Sequence, residues 1–406
     1  MRCLVIAYAF PPIGNAEAFV GGKAILGLAK QGAQITVATI DPFSIGITID
    51  HAFDSQIEKH IDKILRADLS VVEKKILGIC PRIANLLLQY PDKFILFNKY
   101  VKGLLDSIDL TAFDIIISRS QWHSAHLVAL SIKKIYPKLP WIAQFSDPWV
   151  DNPYNLPVPL GKYFAVKWED EIIKYADLIT YTSKETISLV SKRYADEYQN
   201  KMAYIPHCFD KSLYKSSERD DFNEYIIRCL GAFYGPRSPE PFFEAIENIA
   251  SKKPELLDNV LIEFYGLSKR KAKLIDMYPL AKRIIKFNLN INYLESLNKM
   301  LEANCLLSID APLNNSPFFP SKLVDYMGSG NFIFSVSPSG CATNIIDDVN
   351  GLTANVNDIE DIIAKLEKLL ILRPSKLDNS KFNIYDQQYV SREFYNTIER
   401  IINSNV

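Results

Sequence analysis

Residues 316–330 read SPFFPSKLVDYMGSG, and the apolar run NFIFSVS (331–337) follows at once. The segment after the Phe-Phe-Pro turn has the amphipathic pattern of a short helix, and the Gly-Ser-Gly at its end is a helix stop signal. The apolar run has the length and composition of a buried strand. A loop, a helix and a strand in this order predict one repeat of an α/β domain.

The same alternation of short β-branched runs and helical patterns extends over almost the whole chain, which predicts parallel sheets covered by helices. Strands are predicted at 2–10, 33–40, 113–120, 140–146, 177–183 and 202–207, and then at 225–233, 260–266, 284–288, 305–311, 332–337 and 351–356. Helices are predicted at 16–31, 124–135, 161–175, 184–194, 240–252, 292–303, 321–328, 341–348, 358–371 and 391–405.

The chain is long enough for two domains, because its 406 residues exceed the size at which a single hydrophobic core stops growing. The polar stretch FDKSLYKSSERDDFNE (209–224) separates the two sets of strands and is predicted to be a hinge. We therefore expect one domain at 1–208, a second at 209–376 and a helical segment at 377–406. Two doubly wound sheets are expected to face each other across a cleft, with ligands at the carboxyl ends of the strands.

The composition excludes several functional classes. A net charge of −1 with 23% charged residues gives no basic field for nucleic acid. The first residues lack the apolar length of a signal peptide, and no apolar stretch approaches the roughly 18–20 residues of a membrane span. Six cysteines without a C-x-x-C pair are expected to be buried free thiols in a reducing compartment. The sequence thus predicts a cytoplasmic α/β protein.

Residues 42–112 interrupt the alternation. Apolar side chains recur there at helical spacing, at Ile57, Ile61, Ile64, Leu65, Val72 and Ile76. Basic side chains oppose them, at Lys59, Lys63, Arg66, Lys74 and Lys75. The pattern favours a helix whose apolar face packs on the core, and the alternative is an amphipathic surface that contacts a membrane.

Loops at predicted strand ends carry the candidate functional groups of the first half. The loop AYAFPPIGN is not a G-x-G-x-x-G dinucleotide fingerprint, but Gly14 at the mouth of a helix would let main-chain N–H groups approach an anion, unless it only forms a tight turn. SRSQWHSAH (118–126) carries Arg119, His123 and His126, and FSDPWVDNPY (145–154) carries Asp147 and Trp149. Histidine suits proton transfer and an aromatic face suits a sugar ring, although either type also packs in cores.

In the second half, the loop GAFYGPRSP (231–239) presents Arg237, whose guanidinium could bind a phosphate bidentately. Lys322 stands at the start of a predicted helix, where the dipole favours an anion. Asp325 lies about one turn further along that helix, and a carboxylate there suits the diol of a ribose. A nucleoside diphosphate would satisfy all three groups, with phosphates at Arg237 and Lys322 and ribose at Asp325.

Two tandem α/β domains followed by a helix resemble the GT-B glycosyltransferases, and the segments FPPIGN, QFSDPW, LGAFYGPRSP and FFPSKLVDYMGSG are similar to their retaining family 4. The resemblance covers most of the chain. It implies two Rossmann-like doubly wound domains, the first for an acceptor and the second for a nucleotide sugar, with the C-terminal helix crossing back to the first domain. It also implies transfer with retention of configuration to a glycan or lipid-linked glycan, for cell-surface polysaccharide. Such a protein would work in the cytoplasm, in contact with the inner face of the membrane, and would need a nucleotide sugar as co-substrate but no cofactor.

The sequence departs from the E-x7-E pattern of that family. Asp325 matches the second acid, but Pro317 occupies the position of the first. Main-chain N–H groups of Phe318 and Phe319 could take over part of the sugar recognition, and the resemblance adds Ser321 to the donor-binding residues.

The family's histidine near the reacting carbon maps close to residues 118–126, where Arg119 aligns with it and His123 and His126 are displaced. The catalytic candidates are therefore Arg119, His123, His126 and Asp147. The chain contains no Asp-x-Asp, the metal-binding motif of the other main glycosyltransferase class, so no essential metal is expected. Two alternatives remain: a nucleotide-sugar epimerase of the same architecture, and a degenerate protein that binds nucleotide without catalysis.

Overall fold

The computed structural model describes residues 1–79, 91–154, 159–215, 224–378 and 380–404. The chain forms two compact units. Unit 1 comprises Met1–Cys208 together with the C-terminal segment that begins at Gln387, and unit 2 comprises Phe209–Asp386. The predicted hinge falls at the first boundary between the units, and its residues 216–223 lie outside the described part of the chain.

Unit 1 is built on one parallel sheet. Its strands are β1 (Arg2–Ala7), β2 (Gln34–Ile40), β3 (Lys63–Ala67), β4 (Ile115–Arg119), β5 (Trp141–Phe145), β6 (Leu178–Tyr181) and β7 (Met202–Tyr204), in the order β3-β2-β1-β4-β5-β6-β7. Its helices include α1 (Ala16–Lys30), α2 (Asp54–His60), α3 (Val71–Ile79), α4 (Asn98–Leu105), α5 (Ser124–Ile135), α6 (Pro159–Tyr175), α7 (Lys184–Ser191) and α8 (Asp196–Gln199). The central strands β1, β4 and β5 are apolar and almost wholly buried because helices cover both faces of the sheet.

Unit 2 repeats this design on a second parallel sheet. Its strands are β8 (Tyr225–Leu230), β9 (Val260–Tyr265), β10 (Ile285–Asn288), β11 (Cys305–Ile309), β12 (Phe332–Ser337) and β13 (Leu352–Asn355), in the order β10-β9-β8-β11-β12-β13. Its helices include α9 (Glu240–Lys252), α10 (Lys269–Ala272), α11 (Tyr293–Leu301), α12 (Ser321–Ser329), α13 (Cys341–Asp348) and α14 (Ile359–Leu372). Every strand predicted from the sequence is present in one of the two sheets.

The stretch 316–337 folds as predicted. Helix α12 ends at Gly330, which adopts the left-handed conformation with φ 70° that glycine reaches without a steric penalty. Strand β12 follows and is buried along its whole length. Between them, the side chain of Asn331 donates to the Met300 carbonyl at 2.6 Å, so the polar residue between helix and strand is satisfied inside the core.

The final helix, α15 (Gln387–Ser404), returns to unit 1 and packs on α1. The Gln387 side chain donates to the main-chain oxygen of Lys23 at 2.7 Å and accepts from Lys30 Nζ at 2.9 Å. The two helices approach closely at Gly27, where an added Cβ would lie 2.9 Å from Ser391 Cβ. The C-terminal helix that crosses back to the first domain is thus confirmed, and it begins four residues earlier than predicted.

The prediction of one amphipathic helix over residues 57–76 is wrong. Residues Lys63–Ala67 form the edge strand β3, paired with β2 from Thr36 to Ile40. A run as short as KILRA fits both a helical and an extended period. It forms a strand because its main chain pairs with the edge of β2. Val71 and Val72 on α3 are 69% and 66% exposed, so they do not pack on a core. The Ile76 side chain lies outside the described residues.

Two other expectations concern the thiols and the membrane. Cys3, Cys208, Cys229, Cys305 and Cys341 are free and buried, as predicted, and Cys80 lies outside the described residues. None of the described helices combines the length and the hydropathy needed to cross a membrane.

Each sheet has one topological switch point. It is the pair of neighbouring strands from which the chain continues toward opposite edges of the sheet. It lies between β1 and β4 in unit 1, and between β8 and β11 in unit 2. The loops that leave the carboxyl ends of such strands diverge and open a crevice, which is where doubly wound sheets bind ligands.

Candidate functional site

Arg237 lies at the switch point of unit 2, in the loop after β8, and is paired with a residue that the sequence analysis missed. Its Nε donates to Asp310 Oδ1 at 2.7 Å, and its guanidinium lies 4.6 Å from the centroid of the Tyr234 ring. The exposed fractions of Arg237 and Asp310 are only 8% and 2%. A carboxylate therefore compensates part of the charge of Arg237.

Asp310 comes directly after β11, on the other side of the switch point. Its Oδ1 also accepts from the N–H of Ala311 at 2.8 Å, whereas its buried Oδ2 has no hydrogen-bond partner within the described part of the chain. A buried carboxylate oxygen without a donor is costly, so a hydroxyl or N–H of a ligand would stabilise it. An acid immediately after a buried strand was the sequence signal that could have revealed Asp310.

Lys322 adds a second cation to this switch point. It is the second residue of α12, and its Nζ lies 5.6 Å from the centroid of the Phe233 ring. Burial lowers the pKa of Lys322, and the positive charge of Arg237 lowers it further, while Cys229 and Asp310 oppose the shift. No described carboxylate forms an ion pair with Lys322. A desolvated cation of this kind would gain from an anionic ligand.

Asp325 lies one turn further along α12 and is 6% exposed. The Tyr293 hydroxyl from α11 donates to its Oδ1 at 3.0 Å, and the Tyr214 hydroxyl donates to its main-chain oxygen at 2.8 Å. These contacts fix the first half of α12 against two other segments of unit 2. Lys322 and Asp325 thus share a helix that is held firmly at the crevice.

The loop before α12 is anchored by its main chain. Ser316 N donates to the Ser339 oxygen at 2.8 Å, and Cys341 N donates to the Ser316 oxygen at 3.0 Å. Phe318 and Phe319 are buried, and the Phe319 ring meets that of Tyr385 edge to face at 5.5 Å. The two phenylalanine side chains are therefore core, which leaves main-chain groups of this loop for the predicted sugar contact. Ser321 opens α12 and is half-buried.

In unit 1, the main chain of Gly14 is used within its own loop. Its N–H donates to the Thr48 carbonyl at 2.7 Å, and an added Cβ would lie 3.1 Å from Asp50 Cβ. The prediction that this N–H faces an anion is therefore not supported, and the alternative of a tight turn fits. The glycine allows residues 48–50 to approach the loop closely.

The switch point of unit 1 brings Arg119 close to Glu17, which the sequence analysis did not single out. Arg119 is buried, and its Nη1 donates to Gln144 Oε1. Glu17, in the first turn of α1, accepts from Ser146 Oγ at 2.7 Å and from Gln121 N at 3.4 Å. Burial raises the pKa of Glu17, while Ser146 and the charge of Arg119 oppose the shift. Glu17 thus ties together the loops that follow β1, β4 and β5.

His126 lies inside the core. Its Nδ1 is 2.7 Å from Ser118 Oγ, which also accepts from Trp141 Nε1 at 2.8 Å. The residue is completely buried, and burial lowers its pKa well below the usual range, with smaller effects from His123 and Arg119. The geometry fits the alternative in which His126 packs, because a core imidazole cannot reach a substrate.

His123 and Trp149 form a stacked pair, with ring centroids 4.4 Å apart and an angle of 9° between the planes. Burial lowers the pKa of His123 to about 3, so its imidazole is neutral at physiological pH and a weak base. Trp149 is buried and its ring packs on His123, which fits the alternative in which this aromatic side chain packs in the core. Asp147, in the same loop, is half-buried.

Among the described residues, no group of three or more histidine, cysteine, aspartate or glutamate side chains is arranged so that it could hold a metal ion. The carboxylates at the two switch points are held by Arg237, Tyr293, Ser146 and main-chain N–H groups.

Solved structures share the architecture of the whole chain, although no family model and no curated protein matches the sequence. Sucrose-phosphate synthase from Thermosynechococcus elongatus has a TM-score of 0.70 at 14% identity and covers 100% of both chains. The Anabaena protein HepE, in complex with UDP and glucose, has a TM-score of 0.62 at 14% identity over 98% of this chain and 100% of its own. The lipopolysaccharide outer core galactosyltransferase WaaB has a TM-score of 0.61 at 15% identity over 100% of both chains.

These neighbours are GT-B glycosyltransferases, and at such low identity the likeness concerns the fold. Two Rossmann-like units with parallel sheets of seven and six strands, and a terminal helix that belongs to the first unit, match that architecture along the full chain. The chain therefore has the GT-B fold.

Proposed function

We propose that the protein transfers a sugar from a nucleotide-diphosphate donor to a glycan or a lipid-linked glycan, with retention of the anomeric configuration. One observation carries the proposal: Lys322 and the Arg237–Asp310 pair meet at the switch point of unit 2, and no described carboxylate pairs with Lys322. The UDP and glucose in the HepE complex, and the galactosyl transfer named for WaaB, support this choice among the functions that the fold can host.

Each group of unit 2 has a role in this proposal. Lys322 and Arg237 bind the diphosphate and stabilise the charge that it gathers as it leaves, an effect of about 3–4 kcal/mol per well-placed group. Asp325 binds the ribose, and the main chain of residues 317–320 binds the donor sugar. Asp310 orients the Arg237 guanidinium and offers its second oxygen to a donor hydroxyl.

Unit 1 binds the acceptor in this proposal. Arg119 is held beside Glu17 and Gln144, and a buried guanidinium of this kind stabilises negative charge that develops nearby. His123 contributes a neutral polar edge, and Asp147 lies in the loop that carries the stacked Trp149. The reaction would take place in the cytoplasm and would supply cell-surface polysaccharide.

The proposed contact with an anionic membrane is supported by α3, where exposed Val71 and Val72 stand near exposed Lys75. Sedimentation with anionic vesicles tests it. We expect the double substitution Val71→Ser and Val72→Ser to reduce binding, whereas Tyr163→Ser on α6 leaves it unchanged. Equal sedimentation of all three proteins would refute a contact at α3.

Donor binding is tested by thermal unfolding with UDP, GDP, dTDP, ADP and CMP. A ligand at a hundred times its dissociation constant stabilises its site by about 2.7 kcal/mol, and we expect one nucleoside diphosphate to do so. The effect should disappear in Lys322→Met and persist in Lys368→Met, which changes an exposed lysine of α14. A shift that survives Lys322→Met would contradict the site, and no shift with any nucleotide would contradict the function.

Product analysis separates the proposal from its two alternatives. Incubation with the bound donor and no acceptor should leave the nucleotide sugar intact, whereas a free or isomerised sugar would favour an epimerase. Nucleotide binding without turnover of any donor would favour a degenerate protein. We also propose that no metal is essential, so transfer should persist in excess chelator, and its complete loss would refute that part.

A further inference from the structure

Unit 1 contains a small pocket away from its switch point, at the carboxyl ends of β1, β2 and β3. The pocket has a volume of about 230 Å³, below the ~300–1,000 Å³ of sites that enclose drug-sized ligands. Its apolar wall is formed by Pro11 and Pro12 after β1 and by Pro42 and Phe43 after β2. The size suits one ring of a larger molecule.

Arg66 closes the pocket on the β3 side, and its guanidinium is only partly used. Its Nη2 donates to the Pro11 carbonyl at 2.9 Å, whereas its buried Nη1 has no hydrogen-bond partner among the described residues. A buried guanidinium N–H without an acceptor is unfavourable. An oxygen of a ligand in the pocket would provide the missing acceptor.

The remaining polar wall is acidic. Asp54 and Glu58 lie one turn apart on α2 and both line the pocket, so the three charged side chains there carry a formal charge of −1. Asp54 also contacts His51 Nδ1 at 2.7 Å, while Glu58 is exposed and forms no hydrogen bond or ion pair with any described residue. Two carboxylates disfavour an anionic ligand and favour one that donates hydrogen bonds.

A sugar ring has the chemistry that these walls require. Each of its hydroxyls donates and accepts, so vicinal hydroxyls can donate to Glu58 or Asp54 and accept from Arg66 Nη1. The C–H face of the ring can pack on the prolines and on Phe43, whose ring is 75% exposed although it is large and apolar. The exposed Phe43 ring and the prolines together form one apolar wall beside the polar side chains of the pocket.

We propose that this pocket binds an uncharged sugar residue of the acceptor. The proposal rests on the proposed transferase function, and it narrows the acceptor from any glycan or lipid-linked glycan to one that presents a neutral sugar to unit 1. The alternative, in which Arg66 only supports the Pro11 loop, leaves its buried Nη1 without an acceptor.

Saturation-transfer NMR on the full-length protein tests the proposal with methyl glycosides of glucose, galactose and N-acetylglucosamine, and with glucuronate and glucose 6-phosphate as charged probes. We expect transfer to at least one neutral glycoside and weaker transfer to the charged sugars. Phe43→Ala should weaken binding by about tenfold, the effect of losing one aromatic contact, and Glu58→Gln should weaken it as well. Tyr163→Ala, which removes another exposed aromatic ring, on α6, should have no effect.

Three results would overturn the proposal: no transfer to any neutral glycoside, binding that is equal in wild type, Phe43→Ala and Glu58→Gln, or a preference for the charged sugars. Both substituted side chains are exposed, so equal unfolding midpoints will show that the variants are folded. The nucleotide titration uses unit 2 and is independent of Phe43. Stabilisation by a nucleotide without glycoside binding would therefore contradict the sugar pocket but not the proposed transferase function. Glycoside binding without stabilisation by any nucleotide would contradict the transferase function.

Discussion

Units 1 and 2 share a doubly wound parallel sheet but compensate their buried carboxylates differently. In unit 2, two buried carboxylates are paired with guanidinium groups, with Arg237 at 2.7 Å from Asp310 and Arg228 at 2.7 Å from Glu263. In each of these two pairs a guanidinium compensates the charge of the buried carboxylate.

In unit 1 the partners are mostly hydroxyls and main-chain N–H groups. Asp92 accepts from Ser124 Oγ at 2.7 Å and from Ser124 N at 3.0 Å, and burial raises its pKa to about 6. Burial likewise raises the pKa of Glu169 to about 7, although Arg193 Nη1 lies 2.8 Å away and shares its charge with Asp151. Two buried carboxylates of unit 2 therefore have guanidinium partners, whereas burial raises the pKa of two buried carboxylates of unit 1.

The largest effect should come from breaking the pair in unit 2. Asp310→Ala leaves the Arg237 guanidinium buried without its counter-charge, which should lower the free energy of unfolding by about 3–5 kcal/mol. Asp276→Ala is the control, because its pair with Lys282 is more than half exposed and should contribute about 1 kcal/mol or less. Denaturation followed by circular dichroism gives the free energy of unfolding of both variants. A similar loss of stability in the two would show that the buried pair of unit 2 contributes no more than an exposed pair.

The pH dependence of unit 1 should be nearly as large. Glu169 binds its proton more tightly in the folded state, so its contribution is fully favourable below pH 4.5 and is lost as the pH rises to about 7. The loss should reach about 3 kcal/mol. All four tryptophans, at positions 122, 141, 149 and 168, belong to unit 1, so denaturation followed by tryptophan fluorescence reports on this unit.

Glu169→Gln should flatten this pH profile, since glutamine does not titrate, whereas Asp170→Asn at the exposed neighbouring position should leave it unchanged. Profiles that are equally steep in the wild type and in Glu169→Gln would show that the proton sensitivity of unit 1 has another origin.

An intermediate effect is expected where α15 docks on unit 1. Gly27→Ala places a methyl group against Ser391 and should lower the stability of unit 1 by about 1–3 kcal/mol. Gly103→Ala in α4 is the matched control, because nothing lies within 4 Å of the added Cβ. It should be neutral or stabilise by up to about 1 kcal/mol, since alanine is the better helix former. Equal unfolding midpoints by tryptophan fluorescence would mean that α15 contributes little to unit 1.

The smallest effect should come from the hydrogen bond between the Ser124 hydroxyl and Asp92 in unit 1. Ser124→Ala removes one donor to Asp92 and leaves the main-chain donor in place, so we expect a loss of about 1 kcal/mol. Ser131→Ala, whose hydroxyl donates only to the Val128 carbonyl within α5, should cost less. If Ser124→Ala proved as costly as Asp310→Ala, the contrast between hydroxyl and guanidinium partners would not hold.

Most strands and helices were predictable from the sequence because each is specified by the pattern of residues within its own short stretch. Apolar runs such as RCLVIA and FIFSVS, and stop signals such as Gly330, appear in the order in which the strands and helices occur. One exception was Lys63–Ala67, where five residues fit both a helical and an extended period and pairing with β2 gives a strand.

The candidate site was predictable only in part. Lys322 and Asp325 were visible because they share one helix turn. The sequence did not reveal the partner of Arg237. Asp310 lies 73 positions away along the chain, and the two residues come together only because β8 and β11 are neighbours in the sheet. The sequence left open whether Trp149 presents a face to a sugar or packs in the core, because its stacking on His123 depends on how two loops after neighbouring strands converge.

By itself, the sequence determined the alternation of strands and helices, the division into two α/β sets and the position of the α12 segment, because each follows from the periodicity and composition of a continuous stretch. Only the tertiary structure decided which charges are paired, which aromatic rings are buried and which polar atoms lack a partner. The physical reason is that charge compensation and burial depend on distances between residues far apart in the chain, and the order of the parallel strands sets those distances.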